Sequence, residues 1–266
     1  MSSGLAQYAL VQCTTGPLAI AGGGTFDDIE GLVAGIREVG WPNIEMRLWD
    51  RWQPAHYAGY LEKVLATGVI ARTVHAPPRT EDLLSGRTPD EAIEVFDGCV
   101  AAARMAGSRA IVFHAWDLRK ASFDPRSLVS NLQAVHERYA GEGLALCLEA
   151  LPGYSTLLPL LEKECPYLQF VADTQWAAVE GDWRPLLDRT PRVTGLHVQT
   201  FVDVSGEGEM VLGRGRFGAA CDVRSVIREM RARGFSGEVT LEPLGVTSDR
   251  SPLRQALRYL AALVSS

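Results

Sequence analysis

The sequence predicts a single (β/α)₈ barrel that spans residues 1–266, and three observations support this fold class. Apolar runs of strand length alternate eight times with longer amphipathic segments. The chain length of 266 residues is close to the ~250 residues typical of such barrels. The strands are nearly continuous apolar runs, as parallel strands buried on both faces should be. A doubly wound sheet is the main competitor, but Gly22-Gly23-Gly24 after the first strand is not a phosphate-binding motif.

In the first half of the chain, each strand is predicted from an apolar run and each helix from apolar residues three and four positions apart. The predicted strands are 8–14, 43–49, 69–75 and 109–115, and the predicted helices are 27–39, 55–66 and 89–106. The segment Ala76-Pro77-Pro78 ends the third strand, because proline cannot continue a hydrogen-bonded ladder. Pro89 suits the first turn of the helix that follows.

The second half repeats this alternation. The predicted strands are 144–150, 168–172, 193–199 and 237–241, and the predicted helices are 125–140, 155–164, 183–189, 222–233 and 252–263. A long glycine-rich loop that ends at Gly218 follows the seventh strand. No linker-like stretch divides the chain, so one domain is expected.

The composition excludes several classes of protein. Hydrophobic residues make up 47% and charged residues 22%, as in ordinary globular proteins. No apolar run is long enough for a membrane span, and the first residues lack the pattern of a signal peptide, so a cytoplasmic protein without membrane association is expected. The net charge of −6 without a basic run argues against a nucleic-acid partner. Five scattered cysteines are expected to be reduced, packed thiols: Cys13, Cys99, Cys147, Cys165 and Cys221.

Polar residues end six consecutive predicted strands. In strand order they are His75, His114, Glu149, Asp173, His197 and Glu242. The carboxyl ends of barrel strands form the active face, so these side chains should meet at one rim. Carboxylates in such apolar runs would be costly to bury unpaired, and a divalent cation removes that cost. We therefore predict a metal site at Glu149, Asp173, His197 and Glu242. His75 and His114 are candidates for a second metal, for substrate contact or for structural hydrogen bonds.

These segments together resemble the xylose-isomerase-like barrels, which include sugar and sugar-phosphate isomerases and epimerases as well as the endonuclease IV group. The matching segments are Val74-His75-Ala76-Pro77, Val112-Phe113-His114, Cys147-Leu148-Glu149, Val171-Ala172-Asp173-Thr174, Gly195-Leu196-His197, Gly213-Arg214-Gly215 and Gly237 to Glu242-Pro243. The resemblance implies that the four predicted ligands hold one divalent ion, with manganese first and Mg²⁺, Co²⁺ or Zn²⁺ as alternatives.

The chain also departs from this family pattern. The family often has histidine three residues after its sixth-strand aspartate, where this chain has Trp176, and aspartate after its seventh-strand histidine, where this chain has Val198-Gln199-Thr200. The late glycine loop lacks the histidine and aspartate of multi-metal nucleases. These departures favour one ion over a cluster, and with the acidic charge they argue against an endonuclease IV-like repair enzyme.

The resemblance implies that Glu149 and Glu242 exchange protons with carbon while the metal stabilises an enediolate. The predicted function is therefore a metal-dependent isomerase or epimerase of a ketose or polyol. A lyase on the same scaffold is the alternative, either a dehydratase of a cyclic polyol or keto acid or an enzyme that cleaves a C-glycoside. Whether the chain forms a homo-oligomer is left open.

Several residues near the strand ends are candidates for substrate binding. They are His75, His114, Trp116, Trp176, Arg214 and Arg216, and each has a structural alternative as loop packing or a solvated side chain. Aromatic walls suit a sugar ring, and a guanidinium binds hydroxyl, carboxylate or phosphate groups. On the second strand, Glu45 and Arg47 alternate and are expected to form a buried structural pair.

Overall fold

Eight parallel strands close into a barrel, which confirms the predicted fold class. The computed structural model describes residues 10–25, 27–49, 54–78, 80–86, 88–116, 124–202, 210–212, 221–244 and 249–266. The barrel strands are β1 (Val11–Thr14), β2 (Asn43–Arg47), β3 (Ile70–His75), β4 (Ala110–Phe113), β5 (Ala145–Glu149), β6 (Gln169–Asp173), β7 (Val193–Val202) and β9 (Glu238–Leu244). A short strand, β8 (Met210–Leu212), pairs antiparallel with the end of β7.

The barrel closes because its first strand, β1, pairs with its last strand, β9. Strand β9 pairs in parallel with both β1 and β7, and β6 pairs with β7. The register places Asp173 beside His197 and Gln199 beside Glu242. Since neighbours in register point to the same side of a sheet, these side chains all enter the barrel at its C-terminal end.

Helices surround the barrel. They are α1 (Thr15–Ala21), α2 (Ile29–Val39), α3 (Pro54–Leu65), α4 (Thr80–Gly86), α5 (Pro89–Ala106), α6 (Pro125–Tyr139), α7 (Tyr154–Glu164), α8 (Thr174–Glu180), α9 (Arg184–Leu187), α10 (Val223–Ala232) and α11 (Ser251–Ser265). Helices α1, α4 and α8 were not predicted from the sequence. Each has seven residues, which is too short to display the repeat on which helix prediction depends.

The main hydrophobic core lies between the strands and the helices. Phe96 of α5 and Phe113 of β4 are fully buried and meet edge to face, with ring centroids 5.2 Å apart. Helices α1 and α2 approach each other closely at Gly35, where a Cβ would lie 1.6 Å from the carbonyl oxygen of Leu18. Only glycine allows this approach, which places α1 over the C-terminal end of the barrel.

The barrel interior is unusually polar for this fold, whose interior is ordinarily filled by branched apolar side chains. Below the level of His75, Gln12 Nε2 donates hydrogen bonds to Thr73 Oγ1 at 3.0 Å and to Thr240 Oγ1 at 2.9 Å. A small apolar cluster of Val112, Cys147 and Val171 fills the other side of this layer. The polar layer forms the floor of the candidate site.

Two expectations from the composition can be compared with the structure. All five cysteines are free, and four of them are buried, with Cys221 partly exposed. Within the described ranges, every helix is too short or too polar to cross a bilayer.

Candidate metal centre

Three histidines surround one carboxylate oxygen at the C-terminal end of the barrel. Glu149 Oε2 lies 3.2 Å from His75 Nε2, 2.9 Å from His114 Nε2 and 3.2 Å from His197 Nδ1. His75, Glu149 and His197 are each no more than 2% exposed. As their positions at strand ends predict, these residues converge, and the structure brings them together from β3, β5, β7 and the segment after β4.

The other ring nitrogen of each histidine faces an acceptor. His75 Nδ1 lies 2.8 Å from the carbonyl oxygen of Ala76, His114 Nδ1 contacts the Glu81 carboxylate, and His197 Nε2 lies 3.3 Å from Glu45 Oε2. A carbonyl oxygen can only accept, so His75 carries its proton on Nδ1. In the neutral ring, Nε2 then presents a lone pair toward Glu149. A proton or a metal ion is needed between two such groups.

The spacing of these atoms fits a metal ion. Ligand atoms bound ~2.0–2.2 Å from one ion lie about 3.0–3.5 Å from each other. His197 Nδ1 is 3.2 Å from Glu149 Oε2 and 3.4 Å from Glu242 Oε1, yet it makes no hydrogen bond to any residue that the structure describes. Two groups of side chains each bring their ligand atoms within 4.8 Å of one another: His75, Glu149 and His197, and Glu45, His197 and Glu242.

Asp173 and Glu242 are joined by a residue that the sequence analysis did not select. Gln199 Nε2 donates to Asp173 Oδ2 at 3.3 Å and to the carboxylate of Glu242. Asp173 Oδ1 accepts the backbone N–H groups of Gln175 at 2.6 Å and Trp176 at 3.0 Å, so it also caps helix α8. The signal for Gln199 was its position two residues after His197, which places both side chains inside the barrel.

Glu45 is the second residue that sequence reasoning missed, and its expected pairing with Arg47 is wrong. Glu45 is fully buried and accepts from Thr73 Oγ1 at 2.8 Å as well as facing His197. Gln12 in turn donates to Thr73. Glu45 therefore holds the outer nitrogen of His197 and directs Nδ1 of that ring at Glu149 and Glu242, as carboxylates behind metal-binding histidines do.

Burial and neighbouring charges shift the pKa values of this cluster. Burial alone would raise the pKa of Glu149, but His114 and His197 hold it well below its usual range. Burial, followed by the charges of Glu149 and Glu242, raises the pKa of Asp173 well above its usual range. Burial opposes protonation of His114, yet Glu149 and Glu81 raise its pKa to about 10. Protons thus occupy the cluster in the metal-free protein, and a cation can replace them.

The predicted substrate contacts have different surroundings. Trp176 donates from Nε1 to Glu149 Oε1 at 3.0 Å and thereby fixes the second oxygen of that carboxylate. Trp116 is 3% exposed within the main core and donates to the carbonyl oxygen of Pro152. Arg214 and Arg216 lie outside the described residues.

The chain belongs to the xylose isomerase-like TIM barrel family. The sequence of that family matches residues 33–263, which confirms the resemblance inferred from the strand-end motifs. A comparison with curated protein sequences finds no match.

Solved structures with the same fold include two proteins named as an epimerase or epimerase-like and one named as an AP endonuclease. A 3-keto-D-glucoside 4-epimerase from E. coli superposes with a TM-score of 0.64 at 15% identity, over 97% of this chain and 99% of the other. A D-tagatose 3-epimerase-like protein gives a TM-score of 0.67 at 14% identity, over 96% and 97%. A family 2 AP endonuclease from Brucella melitensis gives 0.64 at 13%, over 95% and 98%. At these identities the likeness establishes the fold alone.

Proposed function

We propose that this chain is a divalent-metal-dependent isomerase or epimerase that acts on a ketose through an enediolate. The observation that carries the proposal is the convergence of three imidazoles on Glu149 Oε2, with Glu242 on the other side of the His197 ring nitrogen. The epimerases among the structural neighbours support the same reaction class.

Glu149, Asp173, His197 and Glu242 would hold one divalent ion, for which Mn²⁺ is proposed. Carboxylate oxygens with an imidazole nitrogen suit Mn²⁺ and Mg²⁺ as well as Zn²⁺ and Co²⁺. When bound, the ion supplies a Lewis acid that polarises the carbonyl oxygen of the substrate. His75 and His114 lie against Glu149 from the opposite side and would orient it.

Glu149 and Glu242 would move the proton at the carbon next to the carbonyl. Their oxygens lie 3.2 and 3.4 Å from the same atom, His197 Nδ1, so the two carboxylates face the site from different strands. Trp176 and Gln199 each hold one oxygen of these carboxylates and leave the other directed at the cluster. One glutamate can therefore take a proton while the other returns one.

The test is incubation of the Mn²⁺-loaded protein with D-fructose and D-tagatose in D₂O, followed by NMR of the recovered sugars. Deuterium at the carbon beside the carbonyl, without net loss of water, is the expected result. An unsaturated product would replace the isomerase proposal by the lyase. No deuterium exchange into either ketose would remove the proposal.

A further inference from the structure

Arg47 ends strand β2 without the partner that the sequence suggested. Its expected partner, Glu45, is occupied by Thr73 and His197. Among the residues that the structure describes, the Arg47 guanidinium forms no ion pair, and its Nε has no hydrogen-bond partner. A partly buried guanidinium without an anion is uncommon, because the charge and its donors lose water without compensation.

The register of the barrel shows where Arg47 points. Arg47 on β2 pairs in register with His75 on β3. Two residues earlier along each strand, Glu45 pairs with Thr73. Neighbours in register project to the same side of a parallel sheet. His75 reaches Glu149 inside the barrel, so Arg47 also projects into the C-terminal mouth, one strand (~5 Å) away from His75.

Trp49 adds a second donor to the same strand end. The guanidinium carbon of Arg47 lies 5.3 Å from the centre of the Trp49 ring, which fixes the arginine by cation–π contact. Trp49 Nε1 is enclosed and, like Arg47 Nε, has no hydrogen-bond partner within the described part of the chain. Both unsatisfied groups are N–H donors, and a ligand that completes them must therefore be an acceptor.

The C-terminal mouth of the barrel thus carries negative charge at the ends of some strands and positive charge at the end of another. Strands β5, β6 and β9 contribute the carboxylates of Glu149, Asp173 and Glu242, which suit a cation and the carbonyl and hydroxyl groups it binds. The end of β2 contributes the positive charge of Arg47, which has no ion-pair partner among the described residues, and two unsatisfied N–H donors. An oxyanion placed near so many carboxylates would be repelled unless such a charge faced it.

We propose that Arg47, supported by Trp49, is an oxyanion subsite for the carboxylate or phosphate end of the substrate. The inference rests on the proposed function and narrows its substrate from any ketose to a sugar acid or a sugar phosphate. The anionic end contacts Arg47 in bidentate fashion, and the carbonyl end lies against Glu149 and Glu242.

Matched probes test the subsite without catalysis. D-Glucitol is neutral, D-gluconate carries a carboxylate, and D-glucitol 6-phosphate carries a phosphate on the same carbon skeleton. Binding of each to the Mn²⁺-loaded protein is measured by titration calorimetry. One of the anionic probes should bind at least about tenfold more tightly than D-glucitol, and the tighter one identifies the oxyanion.

Arg47→Met should remove that preference while leaving D-glucitol binding and the thermal unfolding temperature unchanged. Arg47→Lys should restore part of it, because the charge returns without the planar fork. Arg109→Met, an exposed arginine at the opposite end of the barrel, is the matched control and should keep the full preference.

Equal affinity for neutral and anionic probes, no binding of either anion at millimolar concentration, or a preference that survives in Arg47→Met would each overturn the subsite. Measurement of the metal content of the same samples distinguishes a wrong subsite from a wrong proposed function. Protein that binds Mn²⁺ and exchanges deuterium into neutral ketoses, but shows no Arg47-dependent preference, refutes the subsite alone.

Discussion

The two ends of the barrel differ in the partners that surround their buried charged side chains. At the N-terminal end, Arg72 lies between Asn43 Oδ1 at 3.3 Å and Glu238 Oε1 at 3.1 Å, and Arg72 and Glu238 line a cavity of about 510 Å³. The Arg72 and Glu238 side chains are 30% and 22% exposed. At the C-terminal end, Glu45, Glu149, Asp173 and Glu242 converge with histidines as their near cationic partners.

This difference distinguishes a charged pair that affects only stability from a cluster of side chains that is expected to bind a ligand. A carboxylate with its own arginine needs no ligand, and such a partly exposed pair contributes little in either direction. Buried carboxylates whose nearby cationic groups, within the described residues, are all histidines depend on protons or a cation. The N-terminal end is therefore expected to tolerate substitution, whereas each change at the C-terminal end should alter ligand binding.

The largest effect is expected at Glu149. Glu149→Gln removes the oxygen charge on which three imidazole nitrogens converge, so turnover should fall by at least about 10³-fold and bound metal should decrease. Steady-state rates and elemental analysis measure these losses, and circular dichroism should show an intact fold. Near-normal turnover of this variant would contradict the assignment of Glu149.

The pH dependence of metal affinity should be nearly as large. The pKa of His114 is raised from 6.5 to about 10, and that of His197 is raised well above its usual range by Glu45, Glu242 and Glu149 despite burial. Metal must displace the protons held by the proposed ligands His197 and Asp173, so affinity should rise up to about tenfold per pH unit for each proton released. Calorimetry in buffers of different ionisation enthalpy counts the protons.

The raised pKa of His114 also determines the direction in which the stability of the metal-free protein changes with pH. A raised histidine pKa stabilises the folded state fully below 6.5, and this contribution is lost as pH rises toward about 10. Metal-free protein should thus lose stability over this range. Affinity independent of pH, with no proton release, would show that the cluster does not bind the ion.

An intermediate effect is expected beneath the cluster, at Thr73. Thr73→Val removes the hydroxyl that donates to Glu45 Oε2, so Glu45 holds His197 less firmly and metal affinity should fall about 10–100-fold. Thr73→Ser keeps the hydroxyl and should restore affinity. If valine and serine variants bind Mn²⁺ equally, the hydrogen bond from Thr73 does not orient the ligand.

The smallest effect belongs to the N-terminal end. Glu238→Gln replaces one partner of Arg72, and the unfolding free energy should change by no more than about 1 kcal/mol. Urea titration measures this change, and metal content should stay at the wild-type level. A loss of bound metal in this variant would show that the two ends are coupled and would remove the contrast between them.

The strand-end residues of the candidate site were predicted from the sequence, whereas the residues that link them to one another were not. His75, His114, Glu149, Asp173, His197 and Glu242 were found because each ends an apolar run, and the ends of parallel strands meet on one face. Glu45 and Gln199 were missed because they sit within or beyond such runs, where a polar residue has several structural explanations. Short helices such as Thr15–Ala21 carry too little periodicity to be recognised.

The barrel fold and the gathering of acidic and imidazole groups follow from the order of residues alone, because burial and strand alternation are local properties of the chain. Only the closed barrel decided that Glu45 faces Thr73 and His197 and leaves Arg47 beside Trp49. Contacts between strands depend on register and strand tilt, which the sequence of one strand does not contain.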